Sequence, residues 1–281
     1  MAAKIRSLLR LYALYARMDL NWVLQDFGTV LVVFFSDLAN NLAAISGILL
    51  LAVRFGGVGG LSADEVLFMM GFFELADGLG YMLLGGFNVM NISRRVGRGQ
   101  VDHMLIQPRR LIVQLMTEGF CPLSGNNGVI MGIVLTAIAC CRLHMTVTPL
   151  WLAMLLFYLA VHIALKTAQS FLYGALAFYR PVACEELSSL VIDLNNQLGK
   201  FPLYGLPKWL LTILCTALPV GLMAYVPALA LLRQLNHGAA LALPVAVTAA
   251  FVLAAVGCFR RGLKHYAENS CNRYKEMGHR N

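Results

Sequence analysis

The chain has 281 residues, 59% of them hydrophobic and only 13% charged, with a net charge of +8. Soluble domains carry about 25% charged residues because a solvated surface needs that polarity. Most of this surface must therefore face something other than water, which excludes a soluble enzyme and predicts an all-α bundle of membrane-crossing helices.

Residues 4–24 repeat apolar positions at helical spacing (Ile5, Leu8, Leu9, Tyr12, Tyr15), with Arg6, Arg10, Arg17 and Asn21 on the other side. This pattern predicts an in-plane interfacial helix feeding the first span. A crossing needs about 20 apolar residues, and the first is expected over Phe27–Val53. Gly56-Gly57-Val58-Gly59-Gly60 predicts a tight turn, and Ser62 with Glu65 a capping box that opens the second span, Val66–Asn91. After the basic segment 92–110, the third span is expected over Val129–Cys141, extended backward through Leu111. Gly128 and Gly132 form a small-x-x-x-small pair there, which lets another helix approach closely. Leu150–Leu176 and Leu241–Phe259 supply two more crossings, and a basic tail, 260–281, closes a single transmembrane domain over 1–281. Between them, Trp209–Leu232 is long enough to cross but carries Pro219 and Pro227. Cys184–Leu206 reads by hydropathy as a cytoplasmic amphipathic helix, with Leu187, Leu190, Val191, Leu194 and Leu198 on one face. The expectation is six crossings.

The basic residues set the orientation. Lys4, Arg6, Arg10 and Arg17 precede the first span, and Arg94, Arg95, Arg98, Arg109 and Arg110 separate the second from the third. Arg180 follows the fourth, and Arg260, Arg261, Lys264, Arg273, Lys275 and Arg280 follow the last. The alternate loops hold only Arg54, Arg142 and Arg233. Basic loops stay cytoplasmic, so both termini are expected inside, in the cytoplasmic membrane. The positive charge is then accounted for by topology and anionic lipid headgroups, and nucleic acid is not an expected partner. The seven cysteines form no C-x-x-C and no His-partnered metal spacing, so neither a disulfide nor a metal site is expected.

Ionisable groups at membrane depth cost several kcal/mol unless paired or facing a wet cavity. Asp37, beside Asn40 and Asn41, lies midway along the first span; Glu74 and Asp77 share one face of the second; His162, Lys166 and Gln169 share one face of the fourth. Either Lys166 pairs with Asp37, Glu74 or Asp77 to lock helices together, or these groups line a path for a cationic or polar solute. A proton relay through His162 and the carboxylates is a third reading. No H-E-x-x-H, G-x-S-x-G or G-x-x-x-x-G-K-[ST] motif is present, so no catalytic residue or cofactor is expected in this chain. If ATP and Mg are involved, another polypeptide must bind them.

The segment Arg94-Arg95-Val96-Gly97-Arg98-Gly99-Gln100-Val101-Asp102-His103-Met104-Leu105-Ile106-Gln107-Pro108 resembles the G-x-x-D-x-x-L-x-x-P stretch of ABC type-2 permeases, through Gly99, Asp102, Leu105 and Pro108. The order of the remaining elements fits that family over nearly the whole length. The resemblance implies a membrane-spanning exporter subunit with an N-terminal interfacial helix, acting with a separate ATPase subunit and a second permease chain. It also implies that the Arg94–Pro108 loop holds a coupling helix on the ATPase, where Asp102 caps or pairs, Leu105 enters an apolar cleft and Pro108 ends the helix. The alternative is that the loop only anchors the inner surface. The resemblance further makes Cys184–Leu206 the fifth span and 207–235 a re-entrant outer hairpin, which puts Asp193, Asn195 and Asn196 at membrane depth. The rival class is an ion-coupled carrier using Glu74, Asp77 and His162, although the inverted repeat usual in such carriers is not apparent.

Overall fold

The computed structural model describes residues 2–84, 92–233 and 238–268. The expected end of the second span at Asn91, and Arg273, Lys275 and Arg280 of the tail, lie outside these. Among the described residues the fold is all helical.

Helix α1 (Ala2–Gln25) covers the amphipathic segment and stops at Asp26, whose carboxylate accepts from Thr29 N at 3.4 Å and starts α2 (Phe27–Arg54). The chain reverses through Gly56, Gly57, Gly59 and Gly60, all with φ between +58° and +138°, where a side chain would be strained. Ser62 and Glu65 then form the expected capping box: Ser62 N donates to Glu65 Oε2 at 2.7 Å, and Glu65 N to Ser62 Oγ at 3.3 Å. This opens α3 (Ala63–Leu84), whose residues from Val66 to Ala76 are buried throughout.

Three short helices occupy the basic loop: α4 (Ile92–Gly97), α5 (Gln100–Leu105) and α6 (Leu111–Thr117). The third span does not extend backward through Leu111 as one helix, because α6 ends at Thr117 and α7 begins only at Asn127 (Asn127–Arg142). Gly119, Pro122 and Gly125 disfavour a helix there. Asp19 of α1 also captures the linker, accepting from Leu123 N at 2.7 Å, from Ser124 N at 3.2 Å and from the Ser124 hydroxyl. Against α3, α7 packs backbone to backbone: a Cβ on Gly132 would lie 2.2 Å from Leu75 N, and one on Gly78 would lie 2.5 Å from Val129 N. Gly128 and Gly132 are thus the expected place of close approach.

Helix α8 (Pro149–Leu176) starts with Pro149 at its first position and Thr148 capping Trp151 N at 3.1 Å. It is followed by α9 (Pro181–Leu198), α10 (Lys208–Cys215), a 3₁₀ turn (Pro219–Leu222), α11 (Tyr225–Leu232) and α12 (Gly238–Glu268). By length and apolarity α2, α3, α8 and α12 qualify as membrane spans; α10 with the segment to Leu232 forms a fifth candidate, bent by 66°.

Contacts separate the two candidates for the fifth crossing. Helix α9 starts beside the end of α8 that carries Arg180, and the residues after it reach the opposite end, where Pro202 packs on Gly59 and Tyr204 on Gly60. Its 18 residues reach about 27 Å at 1.5 Å each. The bent segment, by contrast, starts near Tyr204 and finishes at that same end, where Trp151 Nε1 donates to Leu231 O at 3.3 Å and Tyr158 Oη to Ala240 O at 3.0 Å. At its deepest, Met223 O meets His162 Nδ1 at 2.8 Å, about 16 Å along α8 from Trp151. The proline-broken segment thus touches the glycine-turn end at both of its ends and His162 between them, while α9 joins the basic end to the glycine-turn end.

Two cores divide the bundle. One, at the glycine-turn end, centres on Phe68, Phe72, Phe73, Trp151, Tyr158 and Leu222. The other, at the basic end, joins Ile92, Val96, Val101, Met104 and Leu115 of the loop helices to Phe171, Phe178, Phe259 and Tyr266.

Candidate functional site: a charged cleft beside the basic loop

A cleft of about 1080 Å³ is lined by α1 (Tyr15, Met18, Asp19, Trp22), α2 (Asp37, Asn41) and α3 (Phe73, Glu74, Asp77, Tyr81). Arg95, Glu118, Phe120 and Cys121 close it near the basic loop, and Asn196 and Lys200 contribute from α9 and its end. Its walls mix aromatic rings with carboxylates, and its charged groups come from helices far apart in sequence.

Two ion pairs organise the depth of the cleft. Lys200 Nζ lies 2.6 Å from Glu74 Oε1, with side chains only 12% and 6% exposed, and also donates to Asn41 Oδ1 at 3.4 Å. Lys166 Nζ pairs with Asp77 and donates to Asn196 Oδ1 at 3.2 Å. His162 Nε2 stands 3.8 Å from Asp77 Oδ1. Of the three carboxylates open to Lys166 from sequence, Asp77 is its partner. Lys200, which sequence reasoning did not place in this group, answers Glu74. One further turn along α8, Gln169 Oε1 accepts from Asn195 Nδ2 at 2.9 Å, fastening α9 to α8.

Asp37 lines the cleft, is exposed, and forms no ion pair with any described residue; Asn40 is exposed on the same helix. Asp193 is exposed on α9 and does not line the cleft. At the mouth, burial pushes the Cys121 thiol up to about 11, reinforced by the Asp19 carboxylate and opposed by its hydrogen bond with Ser124. Burial likewise raises the Tyr15 phenol, with the Glu118 carboxylate adding to it.

The loop that resembles a coupling segment borders this mouth. Gly99 enters α5 with φ +69°, a conformation that favours glycine. Val101 and Met104 turn into the basic-end core, while Leu105 is 43% and Ile106 83% exposed. The Gln114 amide donates to Met104 O at 2.9 Å and Arg109 O at 2.8 Å, holding the turn through Pro108. Arg94 pairs with Glu185 of α9 at 2.8 Å, and Arg95 with Glu118 at 2.9 Å. The Tyr266 hydroxyl of α12 donates to Asp102 Oδ1 at 2.6 Å.

An all-helical bundle with several membrane-length apolar helices and a charged cleft defines a polytopic membrane protein. A family model described as ABC-2 family transporter protein matches residues 38–270. The chain belongs to that family. No curated protein and no solved structure matches it.

Proposed function

We propose that the chain is the permease subunit of an ABC-type exporter, with the cleft as its solute path. The observation that carries this reading is the cleft itself, where charged groups from α2, α3 and the end of α9 meet beside the basic loop. Six helices (α2, α3, α7, α8, α9 and α12) would cross the bilayer, with the basic end in the cytoplasm. Hydrolysis of ATP with Mg would reside in a separate ATPase subunit that docks on α5, where Leu105 and Ile106 protrude. A second permease chain, identical or related, would cover the exposed Asn40, which lies outside the cleft lining and finds no partner in lipid.

The chemistry of the cleft favours a cation with apolar surface. Glu74 and Asp77 are matched by lysines, Glu118 by Arg95, and Asp19 by backbone amides, which leaves Asp37 as the carboxylate with charge to spare among aromatic walls. Dimerisation of the ATPases would rock the bundle, and a solute that binds the two openings differently is moved by the cycle.

Co-purification of the permease with a co-expressed phosphate-loop ATPase tests the docking. The double substitution Leu105→Ala, Ile106→Ala should release the ATPase while the permease stays folded; an undiminished complex would sink the docking assignment. The ion-coupled alternative rests on His162 Nε2 beside Asp77. It requires uptake driven by a proton gradient with no ATPase present.

A further inference from the structure

We infer that Asp102 is a positioning residue braced from within by Tyr266, which locks the coupling helix to α12 and α8, and is not a contact to the ATPase. This rests on the exporter reading above. Asp102 follows Val101 and precedes Met104 by two residues, and both of those apolar side chains are buried against the basic-end core. Its Oδ1 accepts from the Tyr266 hydroxyl at 2.6 Å, across 164 residues of chain. A carboxylate acceptor makes such a bond stronger than a neutral pair.

Tyr266 is itself fixed. It is 2% exposed, and its ring stands edge-on to Phe178, 5.3 Å between centroids. Phe178 in turn packs on Phe259 at 5.2 Å, and Phe259 on Phe171 at 5.2 Å. The rings alternate between α12 and the end of α8, so the phenol reaching α5 is the tip of an aromatic stack that ties those two long helices together. Gly262 keeps them close, since a Cβ there would lie 2.9 Å from Ala175 O.

Leu105 and Ile106 then act as the docking knob, and Asp102 decides where a push on that knob goes. With the brace in place, displacement of α5 is delivered to α12 and α8, the helix that carries His162 and Lys166. Without it, α5 retains its apolar seat but turns more freely, and part of the ATPase stroke is absorbed locally.

The test uses the full-length permease in nanodiscs with its co-expressed ATPase. Affinity for the ATPase is measured, together with the ATP- and vanadate-driven change in maleimide labelling of a cleft reporter, Asn41→Cys, read site by site by mass spectrometry. Tyr266→Phe keeps the ring and removes only the hydroxyl; it should leave affinity within about threefold but cut the ATP-driven labelling change about tenfold, as expected for a lost hydrogen bond to a charged group. Asp102→Ala should match it, Asp102→Asn should restore most of the response because its amide oxygen still accepts, and Tyr266→Phe with Asp102→Ala should be no worse than either alone. A silent Tyr266→Phe, with Asp102→Asn as damaging as Asp102→Ala, would overturn the brace in favour of direct ATPase contact. Failure of the parent chain to bind the ATPase at all would overturn the exporter reading, and the role of the brace with it.

Discussion

Removing the positive partner of Glu74 gives a sharp test of how the cleft is held. At 2.6 Å, two unit charges in an effective dielectric of about 20 attract by about 6 kcal/mol before desolvation is counted. Desolvation offsets most of that gain, so the pair itself contributes little net stability, but stranding one member costs about 3–5 kcal/mol. Both residues line the cleft and are not sealed in a closed core, which favours the lower end of that range. Lys200→Met should therefore destabilise by about 3 kcal/mol, which lowers an apparent Tm on the order of 10 °C. Glu74→Gln alone should cost a similar amount, because it strands Lys200 beside Phe73, whose ring centroid is 5.7 Å from Nζ. The double substitution should recover at least half of the loss, and thermal unfolding of the four proteins in detergent, taken as a double-mutant cycle, measures that coupling. Additive losses, or a single-substitution cost below about 1 kcal/mol, would refute the pairing as a structural element of the cleft.

Gly132→Ala should destabilise by about 1–3 kcal/mol, because the added methyl meets the backbone of Leu75, which cannot rotate away. Gly28→Ala, with nothing within 4 Å, should be neutral or stabilise by up to about 1 kcal/mol in the same unfolding assay. Maleimide labelling of Cys121 should rise about tenfold per pH unit from pH 8 to 10 without a plateau, since its thiol is pushed up to about 11 and the thiolate is the reacting form. Asp19→Asn should raise that rate at pH 8 by removing the nearby negative charge; a plateau below pH 9.5 would contradict the burial of the thiol. Asp37→Asn should weaken transport of an organic cation at least fivefold while leaving the unfolding temperature unchanged, because the carboxylate is exposed and supports no packing.

Much of this architecture was legible because hydropathy and turn chemistry are local. The apolar stretches predicted α2, α3, α8 and α12, and Ser62 with Glu65 marked the start of α3 because a capping box lies within four residues of chain. Gly128 and Gly132 likewise marked the seam where α3 meets α7. The backward extension to Leu111 failed because averaged hydropathy outweighed Gly119, Pro122 and Gly125, and because the tether from Asp19 lies 104 residues away in sequence. Lys200 went unrecognised as the partner of Glu74 for a related reason: it sits at a helix end, and only the path of α9 through the bundle brings it to the cleft. Asp102 was legible as part of a motif, but its partner was not, since no local pattern links it to Tyr266. Hydropathy alone favoured the proline-broken stretch as a crossing; the proposal that the more polar α9 crosses instead rests on the contacts of Pro202, Tyr204 and Leu231, which no local pattern reveals.

The central claim is ATP-driven export through this chain, and inside-out vesicles containing the permease with its ATPase test it most directly. The account predicts that tetraphenylphosphonium, a cation with apolar surface, accumulates when Mg and ATP are supplied, and that accumulation stops with vanadate or without the ATPase. Accumulation that follows a proton gradient in vesicles lacking the ATPase, or none in vesicles where the complex hydrolyses ATP, would contradict it.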